Sequence, residues 1–297
     1  MRVPFFFFLV LCHVTHAATW DQYSGDAAHR NAHSALAQFP RSLGWQSAAT
    51  EPELYFSSVP SDVIGSTSYS ALATLDGTLK LVSTADNTLA WKVQESAGIL
   101  GHPSFDAALN SVIYGTFDRR VVGRALQTGA LQWEAQLPSA LAYPLLVIGE
   151  QAYGLGISGQ WSSVNTADGS LSNGAVLPEP SVHAAPCACG GRLVAAGERG
   201  LLAGYSTGAG MPQVWSWRLT RPARGLMCNS TGMLYVLQSD GTLLAFDGAG
   251  GGPPSWSMSL GAGANVGMAL ASEAPDHLVV GLDNGTVKLV EHTAATS

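Results

Sequence analysis

Short apolar runs alternate with turn residues along most of the chain, in a pattern that recurs about every forty residues. Residues 111–133 show it most clearly: SVIYG is followed by the charged turn Asp118-Arg119, by the run VVGRAL, by the turn Thr128-Gly129 and by Trp133. Runs of this length that are rich in β-branched and aromatic residues are typical of strands in one small antiparallel sheet. A repeat of such sheets predicts a β-propeller in which each unit forms one blade.

Three markers keep this period. The first is a strand-ending aromatic position that recurs at intervals of 42, 40, 42 and 41 residues: Trp91, Trp133, Asn173 in place of tryptophan, Trp215 and Trp256. The second is a turn after the first apolar run, often of a type that tolerates positive φ: Asp76-Gly77, Asp118-Arg119, Ser158-Gly159, Arg199-Gly200, Asp240-Gly241 and Asn284-Gly285. The third is a proline before the first strand of a unit: Pro60, Pro103, Pro144 and Pro186.

The two ends of the chain complement each other. The last unit, residues 276–292, has its turn but no final tryptophan, whereas the predicted strand around Trp45 has no preceding turn. We therefore expect an all-β fold, a single propeller of six four-stranded antiparallel blades, in which the N-terminal strand completes the last blade and closes the ring. A seventh blade drawn from residues 19–60 is the alternative.

The motifs of these units resemble a known repeat. The opening Trp20-x-x-Tyr23-x-Gly25-Asp26-x-x-His29 and units such as Ala125-Leu-Gln-Thr-Gly129 followed by Trp133 are similar to the pyrroloquinoline-quinone (PQQ)-like, or quinoprotein alcohol dehydrogenase-like, propeller repeat. The resemblance covers nearly all of residues 18–297. It implies that the outer-strand tryptophan of each blade packs between neighbouring blades, a role that falls to Trp45, Trp91, Trp133, Trp215 and Trp256.

The first seventeen residues have the features of a secretory signal peptide. Arg2 precedes the apolar run PFFFFLVLC, and small residues stand at the positions before a cleavage site near Ala17. We therefore expect a secreted, lumenal or periplasmic protein with no transmembrane segment after removal of residues 1–17. That removal leaves 13 basic and 21 acidic residues, hence a net charge of −8, which argues against nucleic-acid binding.

The chain lacks the motifs of the enzymes that share this repeat. The resemblance implies a vicinal disulfide, a calcium site and an aspartate base in quinoprotein dehydrogenases, but here the nearest pair of cysteines is the C-x-C of Cys187 and Cys189. No zinc-protease, P-loop or nucleophile-elbow motif is present. The sequence favours a non-catalytic protein without cofactor or metal, and a reduced quinoprotein-like oxidoreductase is the alternative.

Cysteines and sequons suggest two further features. Cys187 and Cys228 are 41 residues apart, which predicts equivalent positions in consecutive blades, where they form either a disulfide or two buried apolar side chains. Asn229 and Asn284 begin sequons in predicted turns. We expect both asparagines to be exposed, either as N-glycosylation sites or as turn residues.

One face of the ring is the candidate binding surface. The connections into the first strands carry His102, Tyr143 and His183 and are expected to ring one opening of the channel. Six of the basic residues fall on the same face: Arg119, Arg120, Arg199, Arg218, Arg221 and Arg224. They predict either a surface for an anionic ligand or acidic partner, or a solvated face paired with Asp118, Glu134 and Glu198.

We therefore expect an exported monomeric binding or scaffold module for a protein or a small anionic ligand. A lumenal sensor or assembly subunit is the other non-catalytic alternative. For stability, we expect Trp133→Ala to be costly and His292→Ala to be harmless.

Overall fold

The computed structural model describes residues 55–292, with gaps at 57–60, 65–66, 84–85, 87, 100, 142, 182, 266–267 and 273–275. The predicted signal peptide, Trp45 with its strand, and Pro60 lie outside the described residues. The described residues form strands and turns, and none belongs to a helix that is long and apolar enough to cross a membrane.

Twenty-four strands form six antiparallel sheets in this part of the chain. Sheet 1 contains β1 (Tyr55–Phe56), β2 (Ser61–Ile64), β3 (Thr67–Thr74), β4 (Thr78–Ser83) and β5 (Leu89–Gln94). Sheet 2 contains β6 (Ser104–Asp106), β7 (Ser111–Gly115), β8 (Arg120–Ala125) and β9 (Leu131–Gln136). Sheet 3 contains β10 (Leu146–Ile148), β11 (Gln151–Leu155), β12 (Gln160–Asn165) and β13 (Leu171–Val176).

The second half of the described chain continues the same order. Sheet 4 contains β14 (Cys187–Cys189), β15 (Arg192–Ala196), β16 (Leu201–Ser206) and β17 (Gln213–Arg218). Sheet 5 contains β18 (Ala223–Cys228), β19 (Met233–Gln238), β20 (Thr242–Asp247) and β21 (Gly251–Ser259). Sheet 6 contains β22 (Met268–Ser272), β23 (Asp276–Gly281) and β24 (Val287–His292), so it has three strands within the described residues. The predicted all-β architecture of antiparallel, mostly four-stranded sheets is confirmed.

Strands within each sheet follow chain order, with one modification in sheet 1. There β1 and β2 pair with opposite ends of β3, so together they stand in for one first strand. All six turns between the second and third strands lie at the predicted positions. Their second turn residues adopt positive φ, with Arg119 (φ 68°) in place of the usual glycine.

Five apolar clusters hold consecutive sheets together. Alternate residues of a middle strand belong to different clusters: Val112 and Tyr114 of β7 face sheet 1, whereas Ile113 faces sheet 3. Side chains alternate between the two faces of a sheet. A strand whose sheet packs against another sheet on each face must therefore be apolar at nearly every position. This is why β7 is buried along its whole length. Face-to-face packing of successive sheets is the arrangement of propeller blades.

Outer-strand tryptophans connect three pairs of sheets. The indole Nε1 of Trp91, Trp133 and Trp215 donates a hydrogen bond to a backbone carbonyl in the turn after the third strand of the next sheet. Acceptors and distances are Leu126 (2.6 Å), Thr166 (2.8 Å) and Gly248 (3.3 Å). Each ring also lies against a positive-φ glycine of that turn, so close that an added Cβ would approach the ring to within 3 Å: Gly129, Gly169 and Gly251.

The junction between sheets 3 and 4 differs because Asn173 replaces the tryptophan. Met211, almost fully buried, packs there against the backbone of Gly174. The adjoining core contains Trp161 and Tyr205, whose ring centroids are 5.7 Å apart. A flexible thioether and two aromatic rings thus fill the space left by the missing indole.

His292, at the end of β24, corrects an expectation from the sequence. Its Nδ1 lies 2.7 Å from the hydroxyl of Tyr235, and its ring packs 4.9 Å from that of Trp256. The side chain is buried, so His292→Ala is not harmless: it removes a hydrogen bond and packing between sheets 5 and 6. The sequence pattern missed this because the residue lies at the end of the last strand, where side chains are usually exposed.

Sheet 6 has an apolar face that no described residue covers. Val287 and Leu289 are 70% and 65% exposed. The equivalent residues of sheet 5, Leu243 and Ala245, are fully buried because they face sheet 6. Sheet 6 therefore presents the surface that each preceding sheet buries against its successor.

Candidate binding face

One end of the sheets is built from two kinds of segment that are linked by a repeated hydrogen bond. We call this end the hairpin face: it comprises the turns 75–77, 116–119, 156–159, 197–200, 239–241 and 282–286, with the connections into the following first strands. Five times, an amide in a turn donates to a carbonyl in a connection: Phe117 to Gly98, Ile157 to Ala140, Glu198 to Pro180, Ser239 to Pro222 and Asp283 to Gly263, at 2.8–2.9 Å. The two kinds of segment therefore form one surface.

All six arginines singled out in the sequence lie at this face. Arg119 and Arg199 are turn residues, Arg120 begins β8, Arg218 ends β17, and Arg221 lies in the connection that follows β17. Arg224 is not in that connection but on β18, in a bulge between Ala223 and Gly225.

The arginines differ in their partners. Arg120 forms ion pairs with Asp118 (2.9 Å), Glu134 (3.0 Å) and Glu95 (3.6 Å), and Arg218 pairs with Glu179 (2.5 Å). The solvated-face alternative thus describes Arg120 well. Within the part of the chain that the structure describes, no ion pair is formed by the remaining four: Arg119, Arg199, Arg221 and Arg224.

The three residues predicted to ring the channel lie in consecutive connections. Gly101, next to His102, adopts a φ of 84°, and a Cβ added to it would lie 3.0 Å from the carbonyl carbon of Tyr143. His102 and Tyr143 are half-buried, and burial lowers the pKa of His102 to about 4, so its imidazole is neutral near pH 7. His183 is exposed in the next connection. A role for these residues at the channel opening stays a prediction.

The predicted Cys187–Cys228 disulfide is wrong: Cys189 pairs with Cys228, with a Cα–Cα distance of 5.4 Å. Both cysteines end a first strand, and these strands lie side by side. The turn after Cys228 has four residues and the turn after Cys189 only two, so equivalent strand ends are 39 rather than 41 residues apart. Counting a constant period therefore selected Cys187, which is a buried thiol in the same core.

The two sequons also differ. Asn284 is exposed, as expected, and its Oδ1 accepts hydrogen bonds from Thr286 N and Oγ1. Asn229 is buried, contrary to expectation, because its Oδ1 accepts from the amides of Thr231 and Met233 and so closes the turn after β18. Glycosylation of either residue stays a prediction, and the structure favours Asn284.

Residues 160–293 match the family model described as outer membrane protein assembly factor BamB. The predicted resemblance to PQQ-like propeller repeats is confirmed for these residues. The crystal structure of BamB from Moraxella catarrhalis is 19% identical to the chain, with a TM-score of 0.62, and the match covers 76% of this chain and 70% of that one.

A computationally designed protein, Ika8, is also similar in structure to these PQQ-like repeats. It is 16% identical, with a TM-score of 0.65, and the match covers 75% of this chain and 68% of that one. At these identities the likeness concerns the fold. No curated protein sequence matches the chain.

Proposed function

We propose that the chain is an exported propeller scaffold that binds a partner protein through the hairpin face. The observation that carries the proposal is the set of four arginines on that face that form no ion pair with a described residue, in a chain of net charge −7. Uncompensated cations on an acidic molecule attract acidic surfaces and steer association. The likeness to an outer membrane protein assembly factor supports a scaffold role in the assembly of other proteins.

The backbone of the hairpin face suits this function because it is held in place. The hydrogen bonds between turns and connections recur at five junctions, and the sheets beneath are joined by apolar clusters. A surface whose backbone is already ordered loses little conformational entropy when a partner binds. Variable side chains on a rigid ring are a general way in which propeller-like scaffolds acquire partners.

Closure of the ring belongs to the same proposal. Residues 18–54 supply the strand around Trp45, which pairs with the edge of β24 and brings the next blade against Val287 and Leu289. Covering these two side chains removes an exposed apolar edge, which otherwise promotes aggregation. The ring then has six blades. A seventh blade from residues 19–60 is the alternative, without Tyr55–Phe56, which pair with β3 in sheet 1.

Site-specific photo-crosslinking tests the proposal. A photoreactive residue replaces Ser158 or Asp240 on the hairpin face, or, as a matched control, Gln127 or Ala167, exposed in turns at the opposite end of the sheets. In the secretory compartment of the native host, we expect one discrete crosslinked protein from the first pair and none from the second.

Equal labelling from both ends, or no crosslink from either, contradicts the proposed function. Absorbance during titration with PQQ tests the oxidoreductase alternative separately. A saturable spectral change would favour that alternative over a scaffold.

A further inference from the structure

The place where sheets 4 and 5 meet on the hairpin face gathers four of the six arginines. We call it the arginine corner: Arg199, Arg218, Arg221 and Arg224. Nη1 of Arg218 donates to the carbonyl of Arg199 at 3.1 Å. A Cβ added to Gly200 would lie 3.6 Å from the carbonyl oxygen of Arg221. The turn that carries Arg199 and the connection that carries Arg221 are therefore in direct contact.

Buried polar side chains fix the backbone of both segments. The carboxylate of Glu179 accepts hydrogen bonds from the amides of Arg199 (3.0 Å) and Leu201 (3.3 Å). The amide oxygen of Gln238 accepts from the amide of Arg221 (2.9 Å) and from the hydroxyl of Thr220 (3.0 Å). Glu179 and Gln238 are both buried, so these anchors are shielded from water.

These anchors are departures from the repeat. The position of Gln238 is occupied in sheets 1 and 2 by Thr74 and Thr116, whose hydroxyls bind within their own turns. Gln238 instead reaches the connection that precedes β18. Glu179, in the connection that precedes β14, and Gln238, on β19, thus order the backbone of the arginine corner and leave Arg199 and Arg221 exposed.

The charges of the corner are only partly neutralised. Glu179 pairs with Arg218, and hydrogen bonds from Arg218 and from two amides hold the pKa of Glu179 below its usual range although burial opposes this shift. Arg199, Arg221 and Arg224 form no ion pair among the described residues, and the Nε of Arg224 is buried without a hydrogen-bond partner. Three cations are left for an external anion.

We propose that the arginine corner binds a carboxylate-rich peptide segment of the partner protein. The three cations belong to a turn, a connection and a strand, so a ligand that contacts all of them must carry several anionic groups along its length. A short run of Asp or Glu residues does so, and the planar guanidinium can bind each carboxylate through two hydrogen bonds. This inference rests on the proposed function and specifies its partner.

The test measures binding of a fluorescein-labelled peptide of alternating Glu and Gly, and of its Gln counterpart, by fluorescence anisotropy at low ionic strength. The corner variant is Arg199→Glu/Arg221→Glu. The matched control is Lys92→Glu/Lys288→Glu, which makes the same change in net charge at exposed positions of sheets 1 and 6, outside the hairpin face. We expect the corner variant to lose at least about tenfold in affinity and the control less than about twofold, because repulsion replaces contact only in the corner.

Equal losses in the two variants, or equal binding of the Glu and Gln peptides, overturn the inference. So does complete displacement of the peptide by inorganic phosphate at constant ionic strength, because the corner would then be a site for small anions. If the charge-reversed corner variant does not fold, Arg199→Gln/Arg221→Gln with the control Lys92→Gln/Lys288→Gln serves in its place. The crosslinking experiment from Ser158 is repeated with a corner variant that no longer binds the peptide. If the crosslink to the partner protein persists, the partner does not bind through the arginine corner, but the proposed scaffold function still holds.

Discussion

At the scale of single residues, Glu95 occupies a position where four other units have a buried leucine. The backbone amides of Glu95 and of its four counterparts all donate to a carbonyl of the hairpin turn: Leu137, Leu177, Leu219 and Leu260. Glu95 is also buried, between sheets 1 and 2, where its carboxylate accepts from the hydroxyl of Tyr114 (2.5 Å) and from Nη2 of Arg124 (2.6 Å). The repeat thus contains one buried charged cluster in an otherwise apolar layer.

Removing one partner of Glu95 from this cluster should lower the stability of the protein. We expect Arg124→Ala to lower the free energy of unfolding by up to about 3–5 kcal/mol, because it removes the nearest cation of a buried carboxylate and leaves only Arg120, at 3.6 Å. Glu95→Leu/Arg124→Val, which restores the side chains of other units, should lose much less. Chemical denaturation measures both, with Arg119→Ala as an exposed control expected to change stability by less than about 0.5 kcal/mol. A double variant as unstable as Arg124→Ala would contradict this account.

The carboxylate of Glu95 should also make the stability of the protein depend on pH. Burial raises the pKa of Glu95, but the hydrogen bonds from Tyr114 and Arg124 and the positive charge of Arg124 outweigh it and lower the pKa below the usual 4.5. A lowered pKa in the folded state stabilises the protein above the unfolded pKa, and this stabilisation is lost as pH falls through the folded pKa. The stability difference between wild type and Glu95→Gln should therefore be constant near neutral pH and shrink below pH 4.5. Urea unfolding over a pH series measures this stability difference. A difference that grows as the pH falls would contradict a lowered pKa of Glu95.

At the scale of elements, the junctions between sheets depend on the outer-strand indole. We expect Trp133→Ala to cost about 3–5 kcal/mol, because a large buried ring is removed from the contact with sheet 3. Trp133→Phe retains a ring but not the donor to Thr166, so about 1 kcal/mol of the loss should reflect the hydrogen bond alone. Thermal and chemical unfolding distinguish the two. If Trp133→Ala and Trp133→Phe lower stability equally, packing of the aromatic ring contributes little.

A disulfide joins the first strands of sheets 4 and 5, and its contribution to stability can be tested. Since Cys189 and Cys228 form the disulfide, we expect Cys189→Ser or Cys228→Ser to lower stability by about 2–4 kcal/mol. Cys187→Ser should have a smaller effect under the same oxidising conditions, as it replaces only a small buried thiol. Peptide mapping after alkylation of free thiols identifies the pairing directly. Recovery of a Cys187–Cys228 peptide would contradict it.

At the scale of the whole molecule, the exposed face of sheet 6 predicts how the ring is completed. Deletion of residues 18–48 should abolish cooperative unfolding, because β24 loses the strand proposed to cover its edge. Leu289→Asp should destabilise the intact chain but add little to the deletion, since both act on the same contact. Circular dichroism melts of the four proteins measure this coupling. A truncated chain that melts like the intact one would rule out closure by this segment.

Much of the fold follows from local sequence, as particular residues show. Turns such as Asp240-Gly241 can be predicted because positive φ is a property of one or two residues. The candidate face was partly predictable too: the arginines could be assigned to one end of the sheets by their place relative to these turns. The anchoring roles of Glu179 and Gln238 were not, because each contacts a backbone amide 17 to 20 residues away in the sequence and carries no local signal of that contact.

The sequence by itself determined the period, the antiparallel strands and the positions of the hairpin turns, since these depend on side-chain alternation and on backbone freedom within a few residues. Tertiary structure decided which residues meet across sheets. It paired Cys189 rather than Cys187 with Cys228, inserted Met211 where a tryptophan is absent and buried His292. It also left three arginines of one corner without acidic partners in the part of the chain that the structure describes. The physical reason is that turn lengths and bulges shift neighbouring strands by one or two residues, and contacts between sheets depend on that shift.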